Sequence, residues 1–128
     1  MAPGALRILV IEDHEATRRT MMRMLERRGH VVYGAGSGEH AIQTLQEHPV
    51  DLVISDVGLP DTNGFALLPR LREIQPGIPA IALSGYGLPG DLERSCTAGF
   101  REHLTKPVPA KSLDDAIARA HAHLVTQG

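Results

Sequence analysis

The sequence predicts a three-layer α/β sandwich built on a five-stranded parallel sheet, and three observations carry that expectation. The apolar runs are short, continuous and rich in β-branched residues; they alternate with segments of helical periodicity; and 128 residues suit one domain with a single core. Strands that are apolar throughout are covered on both faces. Strict alternation of strand and helix in so short a chain therefore places helices on both sides of parallel strands.

Each element follows from local pattern. LRILVI, Leu6 to Ile11, is a strand that stops at Glu12 and Asp13. From Glu15 to Arg28 the charges take one side while Met21, Met24 and Leu25 recur at helical spacing, and Gly29 supplies the stop. VVYGA is the second strand, and Ser37 caps a helix through Ala41, Ile42 and Leu45. DLVIS is the third strand and FALLPRLREI the third helix, with Pro69 in its first turns. PAIALS ends the fourth strand at Ser84, and a short helix is expected over Asp91 to Ala98. FREHLT is the fifth strand, stopped by Lys106-Pro107, and Ser112 is expected to cap a fifth helix carrying Leu113, Ala116, Ile117, Ala120 and Leu124.

Composition bounds the function classes. A formal charge of -2 lacks the basic excess that nucleic acid selects, so no nucleic-acid partner is expected. No apolar run approaches membrane-spanning length, and MAPGALRILV lacks a cationic segment before its short apolar one, so no membrane contact is expected. The lone Cys96 excludes an internal disulfide and fits a reducing compartment; a cytoplasmic location is the expectation. Residues 1–5 read as a linker, 6–125 as the domain and 126–128 as a tail.

In doubly wound sheets, ligands bind outside the carboxyl ends of the strands, where the winding reverses. The residues there are Glu12 and Asp13 after strand one, Asp56 after strand three, Ser84 after strand four and Lys106 after strand five. In the flavodoxin-like order 2-1-3-4-5, strands one and three are neighbours and the three carboxylates share one rim. Two unit charges about 5 Å apart at an effective dielectric near 20 repel by about 3 kcal/mol. Such a cluster needs a cation. All the ligands are oxygens, and an open acidic rim suits magnesium, with manganese as a substitute, better than a caged calcium. Lys106 is a point charge for a phosphoryl oxygen, and Ser84 offers a hydroxyl donor, so the set describes a phosphoryl-transfer site.

Glu12-Asp13, the Asp56-Val57-Gly58-Leu59-Pro60 segment with Gly64 behind it, Ser84-Gly85, and Leu104-Thr105-Lys106-Pro107 together resemble the receiver domain of two-component signalling. AGFREHLTKPV looks most like receivers attached to hybrid histidine kinases. The resemblance implies a phosphoacceptor rather than an enzyme. Asp56 would take a phosphoryl group from the phosphohistidine of a histidine kinase or histidine phosphotransfer protein. Asp13 would ligate magnesium directly, Glu12 through water, and Gly58 through its carbonyl. Ser84 would hydrogen-bond the phosphorylated aspartate and Lys106 pair with its oxygens, with Lys106-Pro107 a cis peptide, whose cost proline lowers. A monomer or weak dimer is expected.

One departure from the family stands at its aromatic switch position, where this chain has His103; rotation coupled to Ser84 is expected to be altered or absent. Gly58 and Tyr86 match variable positions flanking the acceptor and predict slow self-dephosphorylation. His14, Arg18 and Met22 recur along the first helix beside the acidic rim, off the core stripe, and are the candidate donor-docking residues, with Met22 an adaptable exposed contact. His30, His40, His48, His121 and His123 share no face with metal spacing and read as surface residues, and Asp61 and Asn63 read as turn formers.

Competing classes fit less well. A flavodoxin-like mononucleotide binder needs a Ser, Thr and Gly-rich loop where this chain has IEDHEAT, and a haloacid dehalogenase-type phosphatase needs a DxDxT pattern that is missing there. A receiver-like interaction module that works without phosphorylation shares every feature except turnover.

Overall fold

The apolar runs fold as β1 (Arg7–Ile11), β2 (Val31–Ala35), β3 (Leu52–Asp56), β4 (Ala80–Ser84) and β5 (Glu102–Thr105), paired in parallel in the order β2-β1-β3-β4-β5. The structure is a computed structural model that describes residues 5–85 and 97–127. Among these residues there are four helices: α1 (Glu15–Arg27), α2 (Gly38–Glu47), α3 (Gly64–Ile74) and α4 (Ala110–Gln127). The helix expected over Asp91 to Ala98 lies mostly outside the described residues; Thr97 and Ala98, at its end, are helical. Tyr86 also lies outside them.

Central position explains composition. β4 is buried along its whole length and β1 and β3 nearly so, while β2 and β5 at the sheet edges are half-exposed. Alternate residues of a strand serve opposite faces. Leu9, Ile11, Val53, Ala80 and Ala82 pack with Ala41 and Leu45 of α2 and Leu67, Leu68 and Leu71 of α3. Ile8, Val10, Leu52, Ile54, Ile81 and Leu83 pack instead with Leu25 of α1 and Leu113, Ala116, Ile117 and Ala120 of α4. Two cores on either side of one sheet make the three layers.

Ser37 and Gly29 bound their helices as the sequence signals predict, whereas Asn63, read as a turn former, caps a helix and Ser112 does not. The Ser37 hydroxyl accepts from the His40 N–H, and Asn63 caps α3 by accepting from the Ala66 N–H. Gly29 closes α1 at φ 91°, a conformation that costs glycine nothing. Ser112 does not cap the last helix. The Leu113 N–H donates to the Pro109 carbonyl at 3.1 Å, so α4 opens at Ala110 and Ser112 is its third residue. Pro69 sits in the second turn of α3, where it withholds one helix N–H.

His30 is not a plain surface residue. Its Nδ1 accepts the Leu6 N–H at 3.0 Å, tying the start of β1 to the turn after α1. Burial pushes its imidazole below the ordinary value, and the Arg28 charge adds to this against the opposing charge of Asp114. The unfolded chain then binds more protons than the folded one as pH falls through about 6.5, so stability is full above that pH and lost as pH drops through the folded value. The urea midpoint is expected to fall between about pH 7 and pH 5.5, and His30→Gln to flatten that slope. An undiminished slope in the variant contradicts the assignment.

Candidate functional site

Strand register assembles the site. Ile11 pairs with Ser55, which sets the residues following β1 beside the end of β3; Asp56 pairs with Leu83, and Ser84 with Thr105. Carboxylate oxygens of Glu12, Asp13 and Asp56 thereby come within 4.8 Å of one another. The three differ in environment, since Glu12 is only 2% exposed whereas Asp13 is exposed and Asp56 intermediate.

Lys106 ties the cluster together. Its ammonium donates to Glu12 Oε1 and, at 2.9 Å, to Asp56 Oδ2. Glu12 also accepts the His14 N–H at 3.1 Å, and its carbonyl accepts from Arg18 Nη1 at 2.8 Å, so the turn after β1 is braced from two sides. Burial raises the Glu12 carboxyl above its usual range, the Asp56 charge adds to the rise, and the Lys106 and His14 hydrogen bonds oppose it. For Lys106, burial alone lowers the ammonium, but the hydrogen bonds and charges of Glu12 and Asp56 outweigh it and the net direction is up. Lys106 is thus held charged between two carboxylates.

The segment from Asp56 to Gly64 is built around its backbone. The Val57 N–H donates to the Leu83 carbonyl, and the Gly64 N–H to the Val57 carbonyl, each at 2.8 Å. A Cβ on Gly64 would stand 2.9 Å from the Asp56 carbonyl oxygen, so this close return of the chain requires glycine. Gly58 is different: nothing lies within 4 Å of where its Cβ would be, and the residue is exposed. Asp61 does more than form a turn. It accepts the N–H groups of Gly38 and Glu39 at 2.9 and 3.0 Å, fastening the loop after β3 to the start of α2. These bonds hold its carboxyl below the usual range. Partners 22 and 23 residues away leave no local signal for this role.

Ser84 is buried, and its Oγ lies 2.9 Å from His103 Nε2, while its carbonyl accepts the Lys106 N–H at 2.7 Å. The Lys106-Pro107 peptide bond is cis.

The three residues read as a docking trio each make contacts within the chain, and Arg18 and Met22 lie together over Gly34. His14 caps α1, its ring accepting the Thr17 N–H. Arg18 crosses to the Glu12 carbonyl. Met22, expected to be exposed, is half-buried: its sulfur lies over Gly34 of β2, in space that a Cβ would occupy, and it packs on the second core. Helical periodicity placed it off the core stripe, but the missing side chain at Gly34 opens room beneath it. An apolar groove of about 550 Å3 opens further round α1, lined by Thr17, Thr20, Met21 and Met24 with Pro107 and Val108, and Lys106 at its rim joins it to the carboxylates. No helix among the described residues is long and apolar enough to cross a membrane.

A doubly wound parallel sheet with three carboxylates, a hydroxyl and an ammonium at the carboxyl ends of its strands defines a class of α/β proteins whose polar site lies at the topological switch point. Within that class the chain belongs to the response regulator receiver domain family, whose model matches residues 8–118. It is 39% identical over 103 residues to an uncharacterized 14.6 kDa protein of Leptolyngbya boryana, covering 79% of each chain. It is 36% identical over 118 residues to the sensory/regulatory protein RpfC of Xanthomonas campestris pv. campestris, covering 89% of this chain but only 16% of RpfC. A crystal structure of a CheY-like receiver domain protein from Methanospirillum hungatei JF-1 superposes with TM-score 0.90 at 26% identity, covering 97% of this chain and 99% of that one.

Proposed function

We propose that the chain accepts a phosphoryl group from a phosphohistidine onto Asp56 and passes the event on through two-component signalling or a phosphorelay. The observation that carries this reading is the placement of Asp56 2.9 Å from the Lys106 ammonium and inside the three-carboxylate cluster. The carboxylates of Glu12, Asp13 and Asp56 offer only oxygen on an open rim, which fits magnesium; they would hold it, with the Gly58 carbonyl that the family resemblance adds. Bound there, magnesium offsets the charge spread over the transferring phosphoryl oxygens.

The chain's own groups do the rest. An Asp56 carboxylate oxygen attacks phosphorus in line, the P–N bond breaks, and the donor imidazole leaves with the electron pair; the product is an acyl phosphate. Lys106 supplies positive charge from a fixed position, so little reorganisation is needed at the moment of transfer. The Ser84 hydroxyl then donates to a phosphoryl oxygen, as it does in the family. The match to a segment of RpfC supports a place within, or as a partner of, a longer sensory protein.

The test is incubation with acetyl phosphate and magnesium followed by intact-mass and peptide mapping. A base-labile phosphoryl increment on the Leu52–Asp56 strand is expected; no increment, or one elsewhere, refutes the reading.

Two outcomes depend on neighbouring surfaces. The groove along α1 continues into the Lys106 rim, so it is the surface on which a histidine-phosphoryl donor would dock. Thr20→Tyr, at an exposed position, is expected to slow transfer from a phosphorylated histidine phosphotransfer domain roughly tenfold or more while sparing acetyl phosphate; equal loss with both donors counts against docking there. Gly58 offers nothing to orient a hydrolytic water, and the space above it is open. Gly58→Asn should fold normally and shorten the phosphoryl lifetime roughly fivefold, the worth of one added hydrogen bond. An unchanged decay rate would dismiss that role.

A further inference from the structure

Ser84 is held at two points, by β5 and by the residue that follows it. Its carbonyl accepts the Lys106 N–H, and its hydroxyl oxygen lies 2.9 Å from His103 Nε2. In the β4–β5 register Ala82 faces His103 and Ser84 faces Thr105, so the Ser84 and His103 side chains stand on the same side of the sheet. The ring is therefore already turned toward Ser84 before any phosphoryl group arrives.

A hydroxyl has one proton, and an imidazole nitrogen either donates or accepts. Without a phosphoryl group, both orders satisfy the pair: Ser84 can donate to the ring, or the ring to Ser84. Once Asp56 is phosphorylated, the Ser84 proton goes to a phosphoryl oxygen. A contact at 2.9 Å with no proton in it would then set two lone pairs against each other. Either the contact breaks, and the buried Ser84 oxygen loses the His103 ring as its partner, or Nε2 carries the proton.

We propose that the contact survives and that His103 becomes the donor, giving the ordered chain phosphoryl O···H–Oγ of Ser84···H–Nε2 of His103. The inference rests on the phosphoacceptor reading of Asp56. The Ser84 O–H bond stays intact and its proton turns from the ring to the phosphoryl oxygen; where Nε2 had been the acceptor, the imidazole gives up its Nδ1 proton to water and takes one from water on Nε2, so the ring's proton count is unchanged. Each bond in such a chain polarises the next. His103 is thus a positioning residue, acting on the phosphoryl group through Ser84, and it does so without the rotation that a family tyrosine makes.

The experiment uses 15N-labelled protein with magnesium and beryllofluoride, which adds to a carboxylate as a phosphoryl mimic. Long-range proton–nitrogen spectra of the imidazoles are expected to show His103 Nε2 protonated in the complex. His103→Gln, which keeps a side-chain N–H donor, should retain beryllofluoride affinity within about twofold, whereas His103→Phe, which keeps the ring but no nitrogen, should lose roughly fivefold. Urea unfolding checks that both variants fold. An unprotonated Nε2, with the Val57 and Gly58 amides shifted by the ligand, overturns the proposal alone, as does a phenylalanine variant that binds as tightly as the parent. If those amides do not move, beryllofluoride has not reached Asp56, and the phosphoacceptor reading fails together with this one.

Discussion

Asp56→Asn is expected to abolish the phosphoryl increment from acetyl phosphate, with no loss of folding stability. The first half follows from chemistry, since the amide lacks the anionic oxygen that attacks phosphorus. The second follows from the surroundings. Asp56 is repelled by Glu12 and Asp13, by about 3 kcal/mol each at an effective dielectric near 20, and attracted by Lys106 at 2.9 Å by about 6 kcal/mol. The two repulsions therefore offset the attraction, and the burial of Glu12 adds a cost that the Asp56 charge raises further. The asparagine carbonyl still accepts from the Lys106 ammonium, so the geometry is kept while a charge is removed. Magnesium affinity should fall by at least the roughly tenfold that even an indirect partner of a metal ligand commands. Intact-mass spectrometry, urea unfolding and magnesium titration by calorimetry check the three parts. A variant that still gains a base-labile phosphoryl group refutes Asp56 as acceptor, and one that unfolds at lower urea refutes the electrostatic account of the rim.

How much of this was legible in the chain depends on the range of the cause. Strands announced themselves because burial on both faces forces continuous apolar runs, and β2 came out with the expected ends, Val31 and Ala35. The five polar positions at the strand ends could be gathered because parallel topology brings carboxyl ends together whatever the intervening residues are. Contacts set by the absence of a side chain were not legible. Gly34 and Gly64 read alike in a sequence, yet one admits Met22 into the second core and the other lets the loop after β3 close over the Asp56 carbonyl. Nor were polar contacts between distant segments: Asp61 reaches across to α2, His30 accepts from Leu6, and Arg18 leaves the helix surface for the Glu12 carbonyl. Pattern reports which side of an element faces inward. It does not report how far a polar side chain travels along the surface, which here takes Arg18 to the Glu12 carbonyl.

Lys106→Met should separate two properties that loss of a binding residue ordinarily lowers together. In the structure the Lys106 ammonium occupies the same two carboxylates, Glu12 and Asp56, that would face a cation. Removing it leaves three negative groups with less compensation, so magnesium affinity should rise severalfold. Phosphotransfer should nevertheless fall by roughly 10²-fold, the scale on which one preorganised charge-stabilising donor contributes to a transition state. Methionine keeps most of the apolar stem, so the change acts mainly on charge. Glu12 is buried at 2% exposure and loses its ion-pair partner, but the His14 N–H still donates to it, and Lys106 itself is a quarter exposed; the cost to stability should be about 1–3 kcal/mol. Saturating magnesium should recover part of that stability, because the cation takes over the compensation, while leaving the transfer rate low. Calorimetric magnesium titration, urea unfolding at several magnesium concentrations and acetyl phosphate kinetics supply the measurements. Magnesium affinity that falls with the transfer rate would mean that Lys106 organises the carboxylates rather than competing for them, and a transfer rate restored by magnesium would mean that its charge has no part of its own in the reaction.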